Sequence, residues 1–284
     1  MTMASAPVRV GLIGSGIQQS RSPAMHETEA RALGLNYSYC LIDLDVLGKQ
    51  VDALPDVIAD CESEGYVGLN ITHPCKQAVL AYLTELSEDA RVLGAVNTVV
   101  LRDGKRIGHN TDWSGFLESF RRGLSGVRLR KVVQLGAGGA GAATAYAALK
   151  LGAQRVGIYD IESIRATKLA DKLNAHFGDC RAVAVSDIES AMAEAEGLVH
   201  ATPTGMAKHP GLPLPAQLLR KEMWVAEIVY FPMETDLLHA ATEIGCRTLD
   251  GGGMAVFQAA EAFRLFTGIA ANAERMLQHF NSIR

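Results

Sequence analysis

Lys131-Val132-Val133-Gln134-Leu135-Gly136-Ala137-Gly138-Gly139-Ala140-Gly141 is the stretch on which the fold turns. An apolar run of strand length meets a complete G-x-G-x-x-G, and an alanine-rich stretch then continues to Leu149. A dinucleotide fold needs a glycine at the turn, a bare backbone beside the pyrophosphate, and a small residue where helix packs on strand. Plain βα turns use the same residues, so the motif needs support. Asp160 supplies it. It ends the next apolar run, Arg155-Val156-Gly157-Ile158-Tyr159, on the order of 20 residues further on. A carboxylate there can accept hydrogen bonds from both adenosine ribose hydroxyls, while the helix N-terminus behind Gly138 meets the pyrophosphate. Gly136, Ala137, Gly138, Gly139, Ala140 and Asp160 are accordingly read as cofactor-binding residues.

An earlier turn, Gly14-Ser15-Gly16, fails the same test. Gln19 stands where the third glycine is needed, and Pro23 starts the following helix too late. The uncharged tract at 132–149 could imitate a membrane span, but four glycine positions break it and alanine supplies much of the rest. A spanning helix wants about 20 strongly apolar residues. No membrane association is expected.

Working outward, apolar runs alternate with helix-length segments along all 284 residues. Strands are expected at 8–14, 37–42 and 66–71 with helices at 23–33 and 56–64, which implies parallel pairing through right-handed crossovers. Residues 97–102 and 106–110, joined by Asp103-Gly104-Lys105, read as a hairpin. The pattern restarts at Lys131, and two helices, 254–266 and 272–283, close the chain. The fold class is α/β with two domains: a substrate domain with a mostly parallel sheet at 1–125, and a Rossmann domain for NAD(P) at 126–250. The helices of 251–284 are expected to pack back on the first domain.

With 48% hydrophobic and 20% charged residues the chain is an ordinary folded one, and 27 basic against 31 acidic residues leave no basic surface for nucleic acid. Residues 1–7 show neither a charged segment nor an apolar one of the kind a secretory signal needs. Cys40, Cys61, Cys75, Cys180 and Cys246 form no C-x-x-C pair, and the 8 histidines no metal-ligand spacing. A cytoplasmic protein without a structural metal is the expectation.

Small polar clusters sit where open α/β sheets place ligands, at strand ends. They are Ser20-Arg21-Ser22-Pro23, Asn70-Ile71-Thr72-His73-Pro74-Cys75-Lys76, Ala95-Val96-Asn97-Thr98 and Gly108-His109-Asn110-Thr111-Asp112. Each alone could be a helix cap or a turn. Jointly, alongside a dinucleotide domain, they describe a pocket for a polyhydroxylated ring and its carboxylate, with Lys76 and Asp112 as the ionisable pair.

These motifs, with Gly94-Ala95-Val96-Asn97-Thr98, the turn at Gly136 and the later blocks at 230–235 and 251–258, resemble the shikimate/quinate dehydrogenase family over nearly the whole chain. The resemblance implies that Ser20 and Ser22 hold the substrate carboxylate, that Thr72, Asn97, Asp112 and Gln258 hold ring hydroxyls, and that Tyr230 helps at the carboxylate end. Lys76 and Asp112 are the implied catalytic residues. Either Lys76 takes the hydroxyl proton, with Asp112 orienting it, or Asp112 is the acceptor. Arg165, Ala201, Thr202, Pro203, Ile228, Gly251 and Met254 complete the implied cofactor set. The implied substrates are quinate and shikimate, oxidised at the 3-hydroxyl. A ligand-sensing regulator that binds without reacting is the non-enzymatic alternative, disfavoured by the presence of both Lys76 and Asp112. A homo-oligomer is left open.

The sequence departs from the family's patterns at three places. Gly16-Ile17-Gln18-Gln19 replaces a Pro-Ile-x-His approach, His200 stands where Asn is usual, and Glu227 where Asp is usual. These leave the reaction intact and argue against strict shikimate specificity. After the strand, Tyr159-Asp160-Ile161-Glu162-Ser163 carries two acids and no base, whereas NADP-using members typically have Asn-Arg-[Ser/Thr]. NAD is the expected cofactor, with NADP the weaker alternative, and an NAD-preferring member then points to the oxidation of a catabolic substrate, quinate.

Overall fold

The computed structural model describes residues 7–283, so the reading of the first residues as signal-free falls on residues 1–6, outside the described ones. The chain forms two units, Met1–Thr111 with Gln258–Arg284, and Asp112–Phe257.

In the first unit, β1 (Val8–Gly14), α1 (Ser22–Ala32), β2 (Tyr37–Asp43), α2 (Leu54–Ser63) and β3 (Tyr66–Ile71) follow the expected β-α-β-α-β order, with β1 parallel to both β2 and β3. Short α3 (Cys75–Ala78), β4 (Glu85–Leu86) and α4 (Glu88–Leu93) precede the hairpin of β5 (Thr98–Arg102) and β6 (Lys105–His109). The sheet order is β2-β1-β3-β5-β6-β4. Asp103 and Gly104 both take positive φ, 52° and 71°, as a two-residue turn matched to strand twist requires, so Lys105 already belongs to β6. Strand alternation puts Ile13 and Leu69 with Val57, Ile58 and Cys61 of α2 in one core. Val10, Leu12, Tyr39 and Val100 pack with Ala262 and Phe266 in the other.

The second unit opens with α5 (Asp112–Gly123) and continues β7 (Lys131–Leu135), α6 (Gly139–Lys150), β8 (Arg155–Tyr159), α7 (Ser163–Phe177), β9 (Ala182–Ala184), α8 (Ile188–Glu194), β10 (Gly197–His200), β11 (Trp224–Glu227), α9 (Asp236–Ile244) and β12 (Arg247–Leu249). The chain ends with α10 (Gly252–Thr267) and α11 (Ala273–Ser282). The second sheet runs β12-β11-β10-β7-β8-β9, every pair parallel. Counted from β7, that is the 3-2-1-4-5-6 order of a dinucleotide fold, with the reversal between β7 and β10. The uncharged tract at 132–149 is thus a strand, a turn and a helix, and among the described residues no helix is long and apolar enough to cross a membrane.

The units divide at Thr111/Asp112 and inside α10, whereas the sequence reading places the boundaries at 125/126 and 250/251. Aromatic packing is the reason for the first difference. Trp113 meets Tyr146 of α6 edge-on at 5.3 Å, and Phe120 meets Trp224 of β11 at 4.8 Å, so α5 is bound into the second unit. Helices α8 and α9 have no counterpart in the sequence reading. Their start signals are present: Asp187 accepts the N–H groups of Glu189 and Ser190, Thr235 accepts that of Leu238, and Gly245 ends α9 at positive φ.

Candidate functional site

The glycine turn of the second unit has the geometry its residues imply. Gly136 has φ +98°, and a Cβ there would lie 2.5 Å from the Ala201 carbonyl oxygen, so only glycine fits between β7 and the end of β10. A Cβ on Gly141 would meet the Gly136 carbonyl at 2.3 Å, which sets the close packing of α6 on the turn. A Cβ on Gly138 would meet nothing within 4 Å, so the backbone there faces open space at the start of α6. Gln134, wholly buried, ties the turn together: its Nε2 donates to the Gly136 and Gly141 carbonyls at 2.9 and 2.7 Å, and its Oε1 accepts from Thr144 at 2.8 Å. Sequence reasoning passed over Gln134, although a polar residue inside an apolar strand is a signal of such duty.

Asp160 follows β8. One carboxylate oxygen accepts the Ala137 N–H at 2.8 Å and the other the Glu162 N–H at 2.9 Å. Each oxygen keeps a lone pair for a further donor. Arg165 lies on α7 with its guanidinium 2.7 Å from Glu162, an exposed pair, so the structure turns it toward that acid. Ala201, Thr202 and Pro203 follow β10, and the positions of Gly136 and Thr202 meet: the Thr202 Cγ2 atom would lie 3.1 Å from a Cβ on Gly136. Ile228 and Gly251 meet likewise, since a Cβ on Gly251 would lie 2.4 Å from the Ile228 carbonyl oxygen. Met254 is buried on α10, and Tyr230 is 45% exposed. Gly139 and Ala140 form the first residues of α6. The glycine turn, α6 N-terminus and Asp160 fit a dinucleotide.

His200 and Glu227, read from sequence as two separate departures bearing on substrate choice, are fully buried and bonded to each other. They form one buried pair rather than two separate departures. Neither side chain is exposed to any substrate.

In the first unit, the end of β3 and the turn after β1 come together because Gly14 has no side chain: a Cβ there would lie 2.3 Å from Thr72 Cγ2. Thr72 N–H donates to the Ile13 carbonyl at 2.9 Å, and Ser15 N–H to that of His73 at 3.0 Å. The failed glycine turn at 14–16 is occupied from within. Asp43 accepts the Gly16 and Ile17 N–H groups and the Gln18 amide, each at 3.0 Å. Those donors, Gln18 first, hold the Asp43 carboxyl below the usual carboxylate range.

A buried chain of hydrogen bonds runs from Tyr39 to the hairpin. Ser20 Oγ accepts the Ser22 N–H at 3.3 Å. No side chain caps α1, so the serine pair is not a helix cap. Tyr39 donates to Asn70 Oδ1 at 2.8 Å, and Asn70 Nδ2 donates to Thr98 Oγ1 at 3.0 Å. Asn97 Oδ1 accepts the Thr111 N–H at 2.7 Å, its Nδ2 donates to Thr111 Oγ1 at 2.9 Å, and Gln258 Oε1 lies 3.4 Å from Thr111 Oγ1. Asn97 is 4% exposed and Thr98 fully buried, in keeping with a preorganised polar network. Burial also pushes the Tyr39 phenol up. Tyr39, Asn70, Thr98 and Thr111 were not assigned roles from sequence. Lys76 sits on α3, with its carbonyl accepting the Val96 N–H at 2.9 Å, and Asp112, 7% exposed, opens α5.

Fold and sites together define a two-unit α/β dehydrogenase-type protein, one unit with a dinucleotide turn and the other with a buried polar cradle. Three family patterns match it. The "Shikimate dehydrogenase substrate binding domain" covers residues 12–99, the "Shikimate 5'-dehydrogenase C-terminal domain" residues 251–279, and the "Alanine dehydrogenase/PNT, C-terminal domain" residues 119–224. The chain is 58% identical to a shikimate dehydrogenase (NADP(+)) of Streptomyces avermitilis over 94% of its own length and 93% of the relative's. It is 47% identical to a quinate/shikimate dehydrogenase (NAD(+)) of Corynebacterium glutamicum, over 97% of this chain and 99% of that one. The structure of quinate dehydrogenase from Corynebacterium glutamicum in complex with NAD superposes with a TM-score of 0.92 at 46% identity, covering 97% of this chain and 99% of that one. The chain belongs to the shikimate dehydrogenase family.

Proposed function

We propose that this protein oxidises quinate to 3-dehydroquinate and shikimate to 3-dehydroshikimate with NAD, by hydride transfer from the carbon bearing the 3-hydroxyl. NAD, when bound, supplies the hydride acceptor. Ser20, Ser22 and Tyr230 hold the substrate carboxylate, and Thr72, Asn97 and Gln258 its ring hydroxyls. Lys76 takes up the hydroxyl proton, and Asp112 orients it. In its neutral form a lysine accepts the proton, and in its cationic form it polarises the ketone in the reverse direction. Five free cysteines fit a reducing cytoplasm.

One observation carries the choice of nucleotide. Asp160 is held by the Ala137 and Glu162 N–H groups with lone pairs remaining, and the nearby cation, Arg165, is paired to Glu162. Setting a 2′-phosphate against that carboxylate at ~4 Å costs about 1–4 kcal/mol. The preference for NAD is then roughly fivefold to several-hundredfold. The Streptomyces relative's name, which includes NADP(+), supports a second reading as an NADP-using shikimate dehydrogenase. Quinate adds a tertiary hydroxyl and a puckered ring. With Gln18 committed to Asp43, Gln19 is the amide left in the approach to the serines for that hydroxyl. Shikimate, lacking it, loses only about 0.5–1.5 kcal/mol.

Steady-state specificity constants for both acids with both nucleotides test this. The expectation is NAD ahead of NADP, quinate at least equal to shikimate, and an Asp160→Ser variant shifted toward NADP. A wild-type preference for NADP supports the second reading. A quinate constant tenfold or more below that for shikimate, both with NAD, removes quinate from the function.

A further inference from the structure

His200 ends β10 and Glu227 ends β11, and the parallel register sets them opposite each other. Both side chains are 0% exposed. The His200 Nδ1 lies 2.9 Å from each Glu227 oxygen, and its Nε2 lies 2.6 Å from Thr202 Oγ1. Glu227 Oε1 also accepts the Val229 N–H at 2.9 Å, and Oε2 accepts the Thr235 hydroxyl at 3.1 Å. In the neutral ring Nδ1 carries the hydrogen to Glu227, and Nε2 accepts the hydroxyl proton of Thr202. The Thr202 oxygen then keeps its lone pairs for the Thr204 N–H, 3.3 Å away, which closes the turn after β10. All four polar atoms of the pair are used.

Stability alone is a poor reason for such a pair. Apolar residues of similar volume serve a buried sheet as well or better, and here the adjoining strand residues are Leu198, Val199, Val225 and Ala226. What a fully bonded buried pair gives is a fixed arrangement of whatever it holds. This one holds two loops at once, the 201–204 turn through Thr202 and the 228–235 segment through Val229 and Thr235. Both lie at the carboxyl ends of strands next to the topological reversal, where such sheets bind ligands.

We propose that His200 and Glu227 are positioning residues that set the 201–204 turn and the segment at 228–229 for the nicotinamide end of the dinucleotide, while leaving the adenosine end to Asp160 and the glycine turn. The inference rests on the reading of Ala201, Thr202, Pro203 and Ile228 as cofactor-binding residues. Neither member of the pair touches the cofactor. They act through Thr202 and Val229.

The test separates the two ends of the ligand. ADP-ribose carries the adenosine and pyrophosphate without nicotinamide, and the emission of bound NADH reports on the nicotinamide's surroundings. Both are titrated against the wild type, Thr202→Val, Glu227→Gln, His200→Asn and the pair His200→Asn with Glu227→Asp. Thr202→Val is nearly isosteric and leaves the buried pair in place, so it stands even where a core variant folds poorly. The expected result for Thr202→Val and Glu227→Gln is NADH binding weakened about tenfold, the worth of one good hydrogen bond, with ADP-ribose affinity held within about twofold. His200→Asn behaves like them, and the shorter Asn/Asp pair recovers most of the loss. Parallel weakening of ADP-ribose and NADH in Thr202→Val would overturn the proposal, as would NADH binding unchanged in every variant. A wild type that binds neither ligand overturns the dinucleotide reading itself, which is a different result.

Discussion

His26 lies on α1 with 1% of its surface exposed, its Nδ1 2.8 Å from the Tyr37 hydroxyl and its ring among Tyr37, Tyr39, Phe263 and Phe266. Its Nε2 is buried without a hydrogen-bond partner. Burial in that aromatic nest pushes the imidazole down to about 3 from 6.5. Between those two values the unfolded chain binds the proton and the folded protein does not. Stability therefore rises with pH across the window and is lost on acidification from 6.5 toward 3. From pH 7 to pH 5 the loss comes to about 2 kcal/mol. A His26→Phe variant keeps an aromatic ring there and forfeits the Tyr37 bond at every pH, but it should flatten this slope. Urea unfolding at pH 7 and pH 5 measures it, and an unchanged slope in the variant would show that other groups carry the acid sensitivity.

Elements meet where glycine permits. In β10, a Cβ on Gly197 would lie 1.9 Å from the Trp224 indole. That ring is held in place, because its Nε1 donates to the Arg128 carbonyl at 2.9 Å and Phe120 packs near-perpendicular to it at 4.8 Å. Overpacking of this kind typically costs about 1–3 kcal/mol. Gly197→Ala should therefore lower the thermal midpoint by roughly 2–12 °C, at about 2–4 °C per kcal/mol for a chain of this class. Gly138→Ala is the counterpart. Its added methyl meets no protein atom, so the midpoint should hold while affinity for NAD and ADP-ribose falls. A Gly138→Ala protein that binds both as the wild type does would remove the pyrophosphate from this turn.

At the scale of the whole molecule, the chain leaves the first unit at Asp112 and returns to it at Gln258. That unit is consequently built from both ends of the sequence. Arg275 of α11 clasps Glu29 of α1 with two bonds of 2.7 Å, and the Asn272 N–H adds a third at 2.7 Å. The Glu29 side chain is 0% exposed, against 37% for Arg275. Removing the arginine strands a buried carboxylate, so Arg275→Ala should cost about 3 kcal/mol or more. Arg264→Ala breaks an exposed i,i+3 pair with Glu261 and should cost only about 0.5 kcal/mol. Denaturant unfolding of the two variants compares them, and equal losses would mean that the clasp does not hold the chain's end to the first unit.

The alternation of apolar runs with helix-length segments, the glycine turn before α6 and the acid closing β8 were enough to specify an α/β chain with a dinucleotide-type unit. So was the ordered set of polar motifs for the family. These are local signals, each carried by residues close in sequence, and backbone sterics give them one meaning wherever they occur. The sequence did not show that α5 belongs to the second unit, because Trp113 and Phe120 find Tyr146 and Trp224 only after the sheet has formed. Nor did it show that Tyr39 and Asn70 are linked to Thr98 of the hairpin, since those bonds span three strands. His200 and Glu227 were visible only as two unrelated departures. Parallel register made them a pair, and burial left each no other partner than the network they share. A polar side chain advertises that it will need a hydrogen bond, but which group answers depends on strand order and on the removal of water, and those belong to the folded state alone.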